Sequence, residues 1–129
     1  MAYQDQYPQF TYRMPAGSLQ EIACNFVINS PATTAPWPIT GNTWEYVVRN
    51  TATDVSSPVF SITTTANASG VITITDSASV SQALLSVYPA ATAAMTPGTY
   101  WHSLWMSPRT VSAFAWFTGN LMILGTPQP

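Results

Sequence analysis

The sequence has no lysine and very few charged residues of any kind. Of its 129 residues, 6% are charged, against about a quarter in an average soluble domain. The charged residues are Asp5, Arg13, Glu21, Glu45, Arg49, Asp54, Asp76 and Arg109. Three arginines cannot neutralise many phosphates, which argues against a nucleic-acid partner and against a polybasic membrane anchor. An aromatic content of 12% combined with so little charge also excludes a disordered chain.

Cysteine is almost absent as well. The single Cys24 excludes an internal disulfide, and its place in the apolar run 22–28 favours a small core side chain over a nucleophile. The N-terminus has no basic region followed by an apolar run, so it does not resemble a signal peptide. No apolar stretch approaches the length of a membrane-spanning helix. We therefore expect synthesis in a cytoplasm, without export by a leader and without a membrane partner.

Groups that carry chemistry are equally scarce. One histidine, one cysteine and five scattered acids do not form a catalytic constellation, so we expect no enzyme activity and no catalytic residue. Zinc would need three or four His and Cys ligands, and Asp54 and Asp76 are too far apart in sequence for a calcium loop. No glycine-rich phosphate loop is present, and we expect no metal and no cofactor. His102 is expected to face the core beside Tyr100 and Leu104, hydrogen-bonded to a neighbour.

What the chain does contain is a series of short apolar alternations separated by turn residues. Alternation with a period of two predicts half-buried strands. The predicted strands cover 19–29, 43–50, 59–65, 71–75, the second half of 77–88, 99–107 and 111–124. A single helical turn is predicted at 90–95, ended by Pro97 and Gly98. Seven to eight strands with at most one helical turn predict an all-β, immunoglobulin-like β-sandwich.

Several finer expectations follow from the same pattern. The turn signal at 67–70 predicts a hairpin between 59–65 and 71–75, and Gly119 suggests a bulge in the last strand. Three prolines in 30–38 predict a loop or an edge crossing. The segment 77–88 also fits a helix through Val80, Leu84 and Val87. We divide the chain into an irregular aromatic arm at 1–18, the sandwich at 19–124 and a tail at 125–129.

The last two predicted strands carry an aromatic surface. If Tyr100, His102, Leu104 and Met106 face the core, the intervening residues of that strand face outward. If Phe117 of the last strand also faces the core, aromatic residues of both strands lie on the outer face of the hairpin that they form. These are Trp101, Trp105, Phe114 and Trp116. So large an aromatic patch predicts an interface, although a second sheet or the N-terminal arm could also cover it.

Further aromatic residues are candidates for contact. Trp37 lies between two prolines, where it could form an interface or a lid over one end of the core. The arm contributes Tyr3, Tyr7 and Phe10, which could dock on their own domain or on a neighbour. Soluble β-proteins protect exposed sheet edges with lysine and other charges. Because this chain has no lysine, we expect partner chains to cover its edges.

The order of these segments resembles a known family. The matching pieces are 39–41, the strand 43–49, Phe60, 69–75, 93–100, Leu104 and 119–123. Together they resemble the immunoglobulin-like domain at the N-terminus of phage baseplate upper proteins, which also occurs in many small virion proteins of tailed phages. The helical turn followed by Pro-Gly-Thr-Tyr, at 97–100, is the most specific element. The resemblance covers roughly residues 19–124.

The resemblance implies a structural building block of a virion. Such a domain would dock on or decorate the tail, baseplate or capsid, with other virion proteins and copies of itself as partners. It implies no catalytic residue. The rival hypothesis is a carbohydrate-binding module or adhesin, since exposed tryptophans also stack on sugar rings and could bind a host-surface glycan.

Overall fold

The computed structural model describes residues 9–25, 27–29, 34–36, 43–53, 57–76, 81–106 and 114–125, with backbone only at 27–29, 34–36 and 114. Ten strands and one helical turn follow one another along the chain. They are β1 (Tyr12–Pro15), β2 (Gln20–Asn25), β3 (Val27–Asn29), β4 (Thr34–Pro36), β5 (Trp44–Arg49), β6 (Phe60–Thr63), β7 (Gly70–Asp76), β8 (Ser81–Val87), α1 (Pro89–Thr92), β9 (Gly98–Met106) and β10 (Phe114–Leu124).

Eight of these strands form two sheets. The five-stranded sheet has the order β1-β10-β9-β5-β6, and the three-stranded sheet has the order β2-β8-β7. Every pairing in these sheets is antiparallel except that of β1 with β10, which is parallel. The remaining strands, β3 and β4, pair with each other. This is an all-β, immunoglobulin-like sandwich, and the predicted fold class is confirmed.

The core lies between the two sheets and follows the alternation of the sequence. Tyr46 and Leu104 of the five-stranded sheet belong to the same buried cluster as Ile22, Ile72 and Leu85 of the three-stranded sheet. Each of these side chains is at most 5% exposed. Since side chains along a strand point alternately to opposite faces, the inner face of each sheet is the one that carries these residues.

Two pairings differ from the sequence-based expectations. The predicted hairpin of 59–65 with 71–75 is wrong, because β6 pairs with β5 and β7 pairs with β8. The turn closed by hydrogen bonds between Asn67 and Gly70 instead carries the chain from one sheet to the other. The bulge expected near Gly119 does occur in β10, but its register shift falls earlier in the strand, between Ala115 and Phe117.

The segment before residue 19 is more regular than expected. The irregular arm proposed for 1–18 is wrong at 12–15, which form β1 along the edge of β10. The physical reason is alternation: Met14 is fully buried, Tyr12 is half-buried against the core, and Arg13 between them is exposed. Residues 34–36, within the predicted loop or edge crossing, form β4, where a proline is tolerated because the ribbon has only two strands.

Gly119 has a different structural role from the one expected. A Cβ atom at this position would collide with the backbone carbonyl of Phe10. The amide of Phe10 donates a hydrogen bond of 2.9 Å to the carbonyl of Thr118, which brings the two chain segments together. Glycine is therefore required by a close approach of backbone to backbone.

Candidate interaction surface

Strand β9 is the central strand of the five-stranded sheet, and its side chains point alternately to the core and to the outer face. His102 and Leu104 are fully buried on the inner face, and Tyr100 and Met106 pack against the same core. Trp101 and Trp105 have the opposite parity and are half-exposed. The alternation predicted for this strand therefore places its residues on the expected faces.

Much of the outer face is buried by the chain's own side chains. Val47 is 1% exposed and Ser103 is 8% exposed, although both have outward parity. The indole Nε1 of Trp105 donates a hydrogen bond of 2.8 Å to the hydroxyl of Ser103. Trp105 therefore leans back along its strand towards the centre of the sheet. The three-stranded sheet packs on the inner face, so it is not what covers this surface.

Trp116 is not part of this outer face, and its predicted outward placement is wrong. Its Nε1 donates to the sulfur of Met106 at 3.4 Å, and its ring packs against the core. The cause is the bulge: Ala115 pairs with Trp105 and Phe117 pairs with Leu104, which leaves Trp116 as the extra residue. Strict alternation would have sent this side chain outward.

The other predicted contact residues are distributed differently. Phe10 lies on its own domain, with its ring stacked on His102 at a centroid distance of 5.7 Å and edge-on to Phe117 at 5.2 Å. It is half-buried, so its aromatic surface mainly serves the core. Tyr3, Tyr7, Trp37 and the side chain of Phe114 lie outside the part that the structure describes.

A groove of about 350 Å³ opens beside Trp101 at one end of the outer face. Its lining includes Trp101 and Thr99 from β9, Asn120 from β10 and the turn after β5. That turn contributes Asn50, Thr51 and Ala52. Sequence reasoning found Trp101 but missed its polar neighbours. Their convergence depends on strand register, since both Arg49 and Asn120 pair with Trp101.

The buried His102 is held by two hydrogen bonds. Its Nε2 lies 2.7 Å from the carbonyl oxygen of Phe10, and its Nδ1 lies 2.8 Å from the hydroxyl of Tyr46. A carbonyl oxygen only accepts, so Nε2 carries the proton and Nδ1 accepts from the tyrosine. Burial lowers the pKa of His102 to about 4 and raises the pKa of Tyr46 above its usual range. The pair is therefore neutral and structural.

The position of His102 within the fold explains this arrangement. Tyr100 donates its hydroxyl to the carbonyl of Thr96 at 2.7 Å, which is the tyrosine corner of immunoglobulin domains. In antibody domains the residue two positions later is the second cysteine of the disulfide between the sheets. Here that residue is His102, whose partner Tyr46 lies on β5 of the same sheet, so the hydrogen bond joins neighbouring strands rather than the two sheets.

Cys24 does not join a reactive site. It is half-buried on β2 and lines a cleft of about 300 Å³ together with Phe10, Ile22 and Phe117. Desolvation raises the pKa of its thiol to about 11, which keeps it protonated and unreactive at neutral pH.

Within the described ranges, no three His, Cys, Asp or Glu side chains come close enough together to hold a metal ion. None of the helical residues there forms a segment long and apolar enough to cross a membrane.

Comparison with known proteins does not assign the chain to a family. No protein-family model matches the chain, and no curated protein matches it either. Among solved structures, it is similar to a family 123 glycoside hydrolase from Clostridium perfringens, with a TM-score of 0.41 and 9% identity. That similarity covers 95% of this chain and 24% of the hydrolase, so the chain spans about a quarter of that structure's length.

Proposed function

We propose that this chain is a structural protein of a tailed-phage virion, which docks on or decorates the tail, baseplate or capsid. Contact is made through the outer face of the five-stranded sheet, centred on Trp105. The observation that carries the proposal is the half-exposed position of Trp105 on the central strand of that sheet. Aromatic residues of this kind dominate the binding energy of protein interfaces.

The charge distribution supports the same proposal. The five strands of the sheet carry only three charged residues, Arg13, Glu45 and Arg49. All three have the outward parity of this face, with Glu45 opposite Trp105 and Arg49 opposite Trp101, so these are the charges that docking has to desolvate or pair. Burial of its apolar area contributes about 25 cal/mol per Å² before the costs of association. Copies of this domain, or a second virion protein with an apolar surface, are therefore suitable partners.

The test measures the chain in virus particles. Particles are purified on a density gradient from a culture that carries the gene, and the chain is quantified by mass spectrometry per particle. We expect many copies per particle. The proposal is wrong if the chain is abundant in the lysate but absent from the particles.

Variants then test the surface itself. Trp105→Ala is expected to lower the number of copies per particle by about tenfold or more, in keeping with the loss of a hot-spot side chain. Thr73→Ala is the matched control, because Thr73 is exposed on β7 in the other sheet. Equal incorporation of both variants would contradict the assignment of this face.

A further inference from the structure

The groove beside Trp101 combines one aromatic wall with several hydrogen-bonding side chains. We infer that it binds an uncharged sugar ring of a glycan. Its volume of about 350 Å³ falls within the usual size of small-ligand sites, about 300–1,000 Å³. The inference goes beyond the proposed virion role and does not depend on it.

The aromatic wall suits one side of a pyranose. Trp101 is half-exposed, so part of its ring system is available to a ligand while the rest is fixed by the sheet. The carbon-bound hydrogens on one side of a sugar ring form an apolar face that can pack against the large apolar surface of an aromatic side chain. The position of Trp101 is fixed because its strand is paired on both sides, with Arg49 and with Asn120.

The polar part of the lining suits the hydroxyl groups of the same ring. Asn50 and Asn120 each offer an amide with two donors and an acceptor, and Thr51 offers a hydroxyl. All three residues are exposed. Their exposure leaves the polar groups within reach of a ligand in the groove.

The absence of charge in the lining defines the class of sugar. Every described residue that lines the groove is uncharged. Arg49, the β5 partner of Trp101, lies beside the groove but does not line it, so a uronic acid, a sialic acid or a sulfated sugar would lose hydration without an opposite charge in the lining. A neutral hexose or N-acetylhexosamine has no such cost.

The location of the groove leaves it compatible with docking through Trp105. Trp101 and Trp105 are four residues apart on β9, which corresponds to about 13 Å along a strand. Trp105 does not line the groove, and its Nε1 already donates to Ser103. The two tryptophans can therefore serve different contacts on one face, and Trp105 provides a matched control.

The experiment titrates the purified full chain with neutral oligosaccharides of glucose, galactose, mannose and N-acetylglucosamine. Binding is followed by tryptophan fluorescence and by NMR shifts of backbone amides. We expect saturable binding to at least one probe with a Kd of about 1 mM or below, and shifts centred on Thr51 and Asn120. No saturable binding to any of the four at about 10 mM would overturn the inference.

Substitutions locate the site. Trp101→Ala is expected to weaken binding by about tenfold or more, as loss of a stacking platform does, and Asn120→Ala by about threefold to tenfold. Trp105→Ala should leave the affinity unchanged. Asn120 is exposed, so Asn120→Ala keeps the test valid if Trp101→Ala does not fold.

Two further results would overturn the inference. One is loss of binding in Trp105→Ala with normal binding in Asn120→Ala. The other is tighter binding of a sulfated or uronic-acid oligosaccharide than of its neutral counterpart. Virion incorporation is measured separately, on particles. A negative result for sugar binding therefore leaves the virion proposal standing, and absence from particles leaves the sugar site standing.

Discussion

The hydroxyl of Tyr46 donates a hydrogen bond to Nδ1 of His102 across 2.8 Å, and both side chains are fully buried. The two residues lie on neighbouring strands, β5 and β9, of the five-stranded sheet. Their rings meet nearly edge-on, with an interplanar angle of 76°. Phe117 and Phe10 also contact the imidazole ring, so the polar pair is enclosed by aromatic surface.

Removing the tyrosine hydroxyl tests the contribution of this bond. Tyr46→Phe leaves the buried Nδ1 without a donor, and we expect the free energy of unfolding to fall by about 1–3 kcal/mol. Chemical denaturation measures the change. Tyr12→Phe is the control, because its hydroxyl donates to the half-buried Gln20 at 3.1 Å nearer the surface. A loss in Tyr46→Phe no larger than in Tyr12→Phe would contradict the assigned role.

The same histidine makes stability depend on pH. Burial lowers its pKa to about 4 in the folded chain, whereas the unfolded chain titrates near its ordinary value of about 6.5. The unfolded state therefore binds more protons between these values. The contribution of the neutral histidine is complete above about pH 6.5 and is lost as the pH falls to about 4, by up to about 3 kcal/mol.

Denaturation at a series of pH values measures this loss. In His102→Gln the side chain does not titrate, so the slope between about pH 6.5 and pH 4 should flatten. The comparison uses the slope rather than the absolute stability, because the variant also loses packing. An unchanged slope in His102→Gln would show that other groups cause the acid sensitivity.

Gly119 provides a steric prediction. Gly119→Ala places a Cβ against the carbonyl of Phe10. The backbone at Phe10 must therefore move away from β10. We expect a loss of more than about 2 kcal/mol in the free energy of unfolding. Gly125→Ala is the control, since its Cβ would make only an ordinary contact with Pro97. Equal thermal stability of the two variants would refute the close approach.

The thiol of Cys24 should react slowly. With a pKa raised to about 11 by burial, the thiolate fraction at pH 8 is more than about a hundredfold below that of an ordinary cysteine. Reaction with a chromogenic disulfide should therefore be slow in the folded chain and fast in urea. Reaction at the rate of free glutathione in the absence of denaturant would mean that the thiol is open to solvent.

The sequence by itself determined most of the strands, apart from β1 and β4, and the buried face of β9. Alternation placed His102 and Leu104 inside and Trp101 and Trp105 outside, and these placements need only the local period of two. The scarcity of charge, and the single cysteine that excludes a disulfide, are likewise properties of composition. The sandwich class could be predicted without a structure because it follows from the number of short alternating strands and the turns between them.

Only the tertiary structure decided which strands are neighbours and which side chains meet. Local alternation gives a strand its buried face but not its partner, so β6 and β7 could not be assigned to different sheets beforehand. One extra residue in β10 turned the half-buried Trp116 towards the core, and this depends on the register against β9. The Tyr46–His102 bond and the groove beside Trp101 join residues far apart in sequence. Their proximity is set by long-range packing and pairing, which the local pattern does not encode.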